Sequence, residues 1–462
     1  MHASIGALPD NTAPAERPPE RLISIPYLLL RASTAGGAFA MGFVQTFVFA
    51  RILTPERFSI FIVVGAIGYT LWLTDLGLAK ILFVNLRAPH LAGQPDEEPA
   101  RQATAVILFY AVLAVAASLV CFVVTFASST LSEATEFGLF LLYVTLNLTW
   151  FSLRTISIAV DQFVFFERLE LVRRVVNIST MFAMLGGLPL IVFLIGSNVL
   201  WGLLFAVTAT ELVRRGALAP RLRGFSRELL SFFRMNKQAI ARSGASALSG
   251  VFIATFPYYV VPMAFGLGAA PIVLEVTFKI FRGTCVIYAA ICDLAIPGQT
   301  RALATRDAGR LLRTTLLVAG LCCVPAAIGC GVLIFAGGPF YALLLRSAAT
   351  VPPAITPILV ILLLANILQI VSEALLQYSG FFRSLALNGI IVAIMMTTVT
   401  ALAVVAKFNL VEFLAAYAAV YTVGAVFLTI AAVRGPMHAT AVHSGGTHPW
   451  RRLFTEIRAA PR

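Results

Sequence analysis

The chain has 462 residues, of which 59% are hydrophobic and 12% charged, and its mean hydropathy is +0.91. This balance excludes a soluble domain of this size. Apolar runs of about 20 or more residues predict an all-α polytopic membrane protein rather than a barrel of short alternating strands. The net charge of +13 is explained by cytoplasmic loops and anionic membrane lipids, so we expect lipids and no nucleic acid as partners.

About twelve transmembrane helices are expected, divided into six and six. Residues 1–20 are polar and proline-rich and predict a disordered cytoplasmic tail, without the features of a cleaved signal peptide. The basic amphipathic stretch 220–237 predicts an interfacial linker on the inner leaflet, between six-helix units at 21–219 and 238–433. Residues 434–462 predict a basic cytoplasmic tail. The spans are predicted near 24–50, 57–84, 102–127, 137–160, 174–195, 199–218, 238–265, 271–297, 312–336, 355–379, 384–406 and 410–433.

Basic residues alternate between successive connections. One connection, for example, is predicted to hold Arg168, Arg173 and Arg174, whereas its neighbours hold almost no Lys or Arg. The positive-inside bias then places both termini in the cytoplasm, which requires an even number of spans. The basic-poor connections together contain two basic residues, Arg346 and Lys407. These connections are 128–136, 196–198, 266–270, 337–354 and 407–409.

The first span carries a narrow face of small and polar residues at helical spacing. This face consists of Arg31, Thr34, Ala38, Gly42 and Gln45. One interpretation is the wall of a hydrated cavity, in which Arg31 and Gln45 meet a substrate. The other is a small-residue packing seam, with Arg31 extending to the inner interface.

The fourth span carries a second polar face. Asn147, Trp150, Arg154 and Asp161 follow one another at spacings of three, four and seven residues. The functional interpretation is a hydrated wall on which Trp150 stacks against a sugar ring. The alternative is that Arg154 pairs with Asp161 at the cytoplasmic end while Trp150 only packs.

The seventh span begins AIARSGASALSG around Arg242, a weak repeat of LLLRASTAGGAFAMG around Arg31. Two repeated six-helix halves are one way to build a transporter with its site between them. Pro257 and Pro262 follow in the same span and weaken its helix. The result is either a hinge or a static kink.

The eighth span, Pro271–Pro297, is the most unusual element of the chain. Glu275, Lys279 and Arg282 lie on one face of it at i, i+4 and i+7. An ionised side chain at the bilayer centre costs about 2.5–3.5 kcal/mol, so this face is predicted to line a cavity or meet partner helices. A self-neutralised network is the alternative, but it leaves one positive charge, which would attract phosphate oxygens.

The tenth span carries four polar residues at spacings of three, four and four. They are Asn366, Gln369, Glu373 and Gln377. Cavity lining is one interpretation of this face. Interhelical hydrogen bonds, which stabilise membrane helices by about 0.6 kcal/mol each, are the other.

No cofactor or metal site is expected. The six cysteines lie in apolar runs without a CxxC pair, and the five histidines lie in tails and loops. The sequence contains no phosphate-binding glycine loop and no hydrolytic triad. We therefore do not expect an enzyme.

The stretch Phe49–Lys80 resembles a region of bacterial polysaccharide-biosynthesis membrane proteins. These are O-antigen and exopolysaccharide flippases of the multidrug/oligosaccharidyl-lipid/polysaccharide exporter superfamily. Their pattern is a basic residue, Leu-Thr/Gly-Pro-x-x-Phe/Tyr-Gly, an aliphatic span and Asp-Leu-Gly-Leu. Ser59 stands here where glycine is usual. The matching positions are Arg51, Leu53, Thr54, Pro55, Phe58, Asp75, Leu76, Gly77 and Leu78.

The resemblance implies two six-helix bundles around a central cavity in the bacterial inner membrane. It implies a flippase that moves undecaprenyl-diphosphate-linked oligosaccharide by alternating access, with a polysaccharide polymerase and export machinery as further partners. Members commonly have cationic residues facing the cavity in spans one, two, seven and eight. Carried over by position, these are Arg31, Arg242, Lys279 and Arg282.

Two other functions stay open. A cation-coupled multidrug exporter of the same superfamily needs acidic residues for its cation and cationic drug, whereas these cavity residues are net basic. A membrane glycan polymerase usually carries a large periplasmic loop with catalytic Arg or His, whereas the predicted outer loops are short and nearly uncharged.

Overall fold

The computed structural model describes residues 25–91, 96–219, 224–305, 307–379 and 381–437, and within these ranges the chain is helical and contains no β-strand. The predicted all-α fold class is therefore confirmed. The first-half helices are α1 Ile25–Ile52, α2 Pro55–Thr70, α3 Leu78–Leu91, α4 Glu97–Phe126, α5 Leu131–Ala159, α6 Phe163–Leu185 and α7 Leu190–Arg214. The second-half helices are α9 Lys237–Thr255, α10 Pro257–Phe265, α11 Ala269–Ala304, α12 Ala308–Leu345, α13 Ile355–Tyr378, α14 Phe382–Val405 and α15 Leu410–Ala432, and α8 Phe225–Met235 joins the halves.

Within the described residues, ten helical segments are long and apolar enough to cross a membrane. Two further long helices, α6 and α11, carry several charged residues each. The pair α2 and α3 counts as one broken span, and so does the pair α9 and α10. With α6 and α11 added to the ten, the described residues contain twelve spans, as predicted. The chain is a multi-pass membrane protein.

The second span is broken, not continuous over 57–84 as predicted. A 3-10 turn at Leu71–Asp75 follows α2, and Leu76 and Gly77 then adopt positive φ angles of 44° and 79°. The carboxylate of Asp75 accepts hydrogen bonds from the backbone N–H groups of Gly77 and Ala79, so it caps the start of α3. The Asp-Leu-Gly-Leu motif is therefore a helix break.

The fifth and sixth spans are placed earlier than predicted. Helix α6 begins at Phe163 rather than near 174, and α7 begins at Leu190 rather than near 199. The prediction is wrong because charged residues next to an apolar run are typical of a loop, whereas here they form ion pairs inside the protein. Arg173 is 1% exposed and Arg174 is partly buried, so both lie inside the protein instead.

The seventh span is interrupted where its prolines predicted. Helix α9 ends at Thr255 and α10 starts at Pro257, which has no N–H to continue the helical hydrogen bonds.

Helix α8 carries exposed Leu230 and Met235, beside basic Arg227 and Arg234. Parts of the predicted tails and linker lie outside the described residues, namely positions 1–20, 220–223 and 438–462. The boundaries predicted for the tails and the linker therefore stay predictions.

Helices of each half pack mainly on one another, and α1 and α2 make contacts across the divide to α11 and α12. At the end of α1 nearest α2, Arg51 donates hydrogen bonds to the backbone carbonyls of Leu343 (2.6 Å) and Leu344 (3.2 Å) in α12. Ser59 of α2 donates to the carbonyl of Gly268 (2.8 Å) at the same end of the molecule. These bonds join the two halves at one face of the membrane domain.

Candidate functional site

A central cavity of about 1830 Å³, including its mouth, lies between the two halves. Helices α1, α5 and α6 of the first half and α11 of the second supply most of its lining. A smaller recess of about 450 Å³ continues past Lys279 and Arg282 and reaches Glu275. The charged residues that line the central cavity are Arg31, Arg154, Glu167, Glu170, Arg173, Arg174, Lys279 and Arg282.

Glu167 of α6 forms the first charged group on the cavity wall. Its carboxylate accepts hydrogen bonds from Arg31 (3.3 Å) and Arg154 (3.2 Å), and a short one from the hydroxyl of Thr34 (2.6 Å). Glu167 is 2% exposed, so its charge is compensated by these partners rather than by water. Asp161, the alternative partner considered for Arg154, instead pairs with Arg87 at 2.7 Å.

Glu170, one helical turn further along α6, forms the second group. It accepts hydrogen bonds from Arg173 (2.7 Å) and Arg174 (2.7 Å), and from the indole N–H of Trp150 (2.7 Å). The guanidinium of Arg173 also lies 4.3 Å from the ring centroid of Trp201, within cation–π range. Spacings of three and four residues bring all these charges to one side of α6.

Glu275 forms the third group, on the opposite half. One carboxylate oxygen lies 3.0 Å from the ammonium of Lys279, and the other accepts hydrogen bonds from Arg282 (3.0 Å) and Tyr258 (2.6 Å). Arg282 also donates to Tyr258 at 2.7 Å and lies 4.9 Å from the ring centroid of Tyr69. The three charged residues thus share one face of α11, as their spacing predicted.

The three groups have the same charge pattern, since each carboxylate is shared by two cations. Six cations and three carboxylates leave a net charge of +3 around the cavity and its recess. Asp293 lies 3.9 Å from Arg31 and reduces the surplus to +2. Glu167 and Glu170 also line the cavity, but the three carboxylates are only 3–11% exposed, whereas every cation except Arg173 is 13–25% exposed, so the accessible surface is mainly basic. Such a surface attracts anions.

Two predicted residues of the fourth span line the cavity without presenting an open polar face. Asn147 donates its amide N–H groups back to the carbonyls of Tyr143 and Val144 in its own helix. Trp150 is 4% exposed and packs against Phe166 and other aromatic rings. In this conformation the indole of Trp150 orients Glu170 and offers no free ring face.

The four predicted residues of the tenth span lie away from the central cavity. Asn366 is fully buried and donates to Thr284 of α11 at 3.2 Å, an interhelical hydrogen bond. Gln369 and Glu373 line a separate recess of about 440 Å³ inside the second half. Gln377 is partly buried nearer the helix end. Helix α13 packs on α11, α12 and α15, which explains why its polar face meets second-half helices.

Gln45 lines the central cavity as expected, and Arg242 lies in α9 with its side chain outside the described part of the chain.

The site also contains four residues that sequence reasoning missed: Glu167, Glu170, Arg173 and Arg174. A signal existed, because Glu167, Glu170 and Arg174 recur at helical spacing directly before an apolar run.

No family model and no curated protein sequence matches the chain. Among solved structures, an inward-facing multidrug resistance MATE family transporter of the MOP superfamily has a TM-score of 0.61 at 12% identity, covering 89% of this chain and 98% of its own. The Vibrio cholerae MATE transporter VcmN in the bent form has a TM-score of 0.59 at 14% identity, covering 90% and 97%. The chain therefore has the fold of MATE transporters.

A third similar structure is a MOP superfamily transporter from Pyrococcus furiosus, whose binding pocket is described as having reverse polarity. It has a TM-score of 0.52 at 14% identity, covering 85% of this chain and 98% of its own. At these identities the similarity is one of fold, and the chemistry of the site has to be argued from its own residues.

Proposed function

We propose that this protein is a membrane transporter that works by alternating access, with its substrate site in the central cavity. Full-length similarity to MATE transporters supports this proposal. So does the position of the cavity between two helical halves that are joined mainly through α1 and α2 on one side and α11 and α12 on the other. Rocking of the halves about such a site would expose it to either side of the membrane.

The substrate that the charges favour is anionic. The observation that carries this proposal is the set of six cavity cations held by only three carboxylates. Guanidinium groups bind phosphate oxygens in bidentate geometry, and an ammonium adds a compact charge. A lipid-linked oligosaccharide diphosphate fits these requirements: the diphosphate would bind Lys279, Arg282 and Arg31, the lipid would stay in the bilayer, and the glycan would occupy the remaining cavity.

The second candidate is a cation-coupled multidrug exporter. The similar structures support it more directly than they support a flippase, because two of the three described above are named MATE transporters, one of them a multidrug resistance protein. Glu373, beside Gln369 in a recess of the second half, is an acidic group that such coupling would need. Against it stands the basic cavity, which would repel a cationic drug.

Location and partners follow from the same proposal. The arginine-rich connections support cytoplasmic termini in a bacterial inner membrane. In that arrangement the bonds of Arg51 and Ser59 would close the periplasmic side, leaving an inward-facing cavity. A polysaccharide polymerase and export machinery would receive the flipped substrate.

Charge reversal tests the substrate proposal in the native host. Lys279→Glu and Arg282→Glu, alone and together, are expected to abolish surface polysaccharide at normal protein level, because the diphosphate would meet an anionic wall. Arg168→Glu is the matched control, since Arg168 lies on α6 but is exposed and does not line the cavity. Normal polysaccharide in the double variant would refute diphosphate binding at this site.

A resistance assay separates the two candidates. Expression in a host that lacks its own drug pumps is expected to leave resistance to cationic drugs unchanged. Two results together would establish the exporter instead. Expression would increase resistance and Glu373→Gln would abolish that increase, and deletion of the gene in the native host would leave surface polysaccharide unaffected. Gene deletion also separates a flippase from a polymerase. Loss of a flippase would leave no repeat units at the surface, whereas loss of a polymerase would leave single repeat units there.

A further inference from the structure

Lys279 is the one member of the α11 cluster whose described side-chain bonds reach the opposite half of the molecule through α1. Its ammonium donates to the hydroxyl of Thr46 at 2.8 Å and to the side-chain carbonyl of Gln45 at 3.5 Å. Its third contact is the carboxylate of Glu275 on its own helix, at 3.0 Å. Thr46 is fully buried and donates its own hydroxyl hydrogen to the carbonyl of Gly42, so its oxygen faces Lys279 as an acceptor.

These contacts use the full donor capacity of the ammonium. A lysine side chain has three N–H donors and no acceptor. Glu275, Thr46 and Gln45 occupy all three, although the side chain lines the central cavity and is 13% exposed. An anion entering the cavity can therefore bind Lys279 only if one of the existing hydrogen bonds breaks.

The bonds to α1 are the ones that an anion would replace. The bond to Glu275 joins two opposite charges at 3.0 Å, whereas Thr46 and Gln45 are neutral acceptors, and a bond between two ions is stronger than one from an ammonium to a neutral oxygen. Arg282 differs, because its described hydrogen bonds run to Phe278, Tyr258 and Glu275, all in α10 or α11, and it meets the first half only through the ring face of Tyr69. Binding at Lys279, unlike binding at Arg282, thus acts on hydrogen bonds between the halves.

We propose that Thr46, assisted by Gln45, is the coupling residue of the site: it holds α1 to α11 through Lys279 and is released when an anionic substrate takes its place. The proposal rests on the anion transport proposed above and assigns Thr46 a role beyond packing. Substrate binding would then weaken one of the described bonds between the halves, and the freed half could move. A ligand shifts a conformational equilibrium only through such a difference in contacts between states.

Purified protein in lipid nanodiscs, probed with farnesyl diphosphate, tests this role. Thr46→Val removes the acceptor at almost constant volume. We expect it to bind the probe about tenfold more tightly, because one ammonium N–H is then free and the short bond to Thr46 no longer has to break, and to show a severalfold lower maximal transport rate in liposomes. Gln45→Met should change both quantities in the same direction but less, because its bond is longer.

Two controls separate coupling from a structural effect. Thr46→Ser keeps the hydroxyl and should behave as the unmodified protein does. Thr277→Val removes an equally buried hydroxyl of α11 whose hydrogen bond runs to Val273 in its own helix, and it should change neither affinity nor rate. Unchanged affinity in Thr46→Val, or an equal change in Thr277→Val, would overturn the coupling role. Absence of any binding by the unmodified protein would instead refute the proposed anionic substrate.

Discussion

At the scale of single residues, the site depends on carboxylates that each hold two cations. Glu170 illustrates this best, since Arg173 beside it is 1% exposed and cannot be neutralised by water. Removing one partner from a buried ionic group leaves a charge uncompensated and typically destabilises by about 3–5 kcal/mol. The acidic residues of α6 are therefore as important to the integrity of this wall as the arginines are to its charge.

Glu170→Gln is expected to lower the apparent Tm of the purified protein by several degrees, since two guanidinium groups lose their counter-ion. Glu211→Gln is the matched control. Glu211 forms the same i, i+4 pair with Arg215, but Arg215 is 52% exposed, so water screens the loss and the change should correspond to about 0–1 kcal/mol. Equal effects of the two substitutions, measured by thermal unfolding in one detergent, would show that Glu170 does not compensate buried charge.

At the scale of elements, α1 and α11 approach each other closely at one point. A methyl group on Gly283 would overlap a ring carbon of Phe39, so the helices or the ring would have to move. The contact lies directly beside Arg282 and within the cavity lining. Glycine is needed here for space and not for backbone conformation, because its position is helical.

Gly283→Ala is therefore expected to lower the apparent Tm, even though alanine usually stabilises a helix by about 1 kcal/mol relative to glycine. Gly320→Ala in α12 provides the comparison, because no atom lies within 4 Å of the position that its methyl group would occupy. That variant should keep or raise the Tm. A Tm that rises equally in both proteins would mean that α1 and α11 are not tightly apposed at Phe39.

The elements also show what a sequence can and cannot reveal. Helix α11 was predictable, because three charges on one face of an apolar run are too costly to expose to lipid. Helix α6 was not, since a dense group of charges before an apolar run equally describes a loop, and its burial depends on partners from α1 and α5. The α13 face was predicted to line the cavity, but whether a polar face meets water or another helix depends on packing that one sequence does not contain.

At the scale of the whole molecule, two basic walls face each other across one cavity. The first-half wall holds Arg31, Arg154, Arg173 and Arg174, and the second-half wall holds Lys279 and Arg282. An anion placed between them would interact with both halves at once. The halves are meanwhile joined at one end by the bonds of Arg51 to α12. The proposed anion site and the joined end therefore lie in different parts of the molecule.

The most direct test is movement of a fluorescent isoprenoid diphosphate across liposomes that contain the purified protein. The unmodified protein should move the diphosphate faster than empty liposomes do and should leave the uncharged isoprenoid alcohol unaffected. The double variant Lys279→Gln, Arg282→Gln should be at least about tenfold slower, because a lost charged hydrogen bond corresponds to about 1.5–3 kcal/mol. Equal rates for the two proteins, or for diphosphate and alcohol, would contradict a role for the cavity cations in holding an anionic substrate.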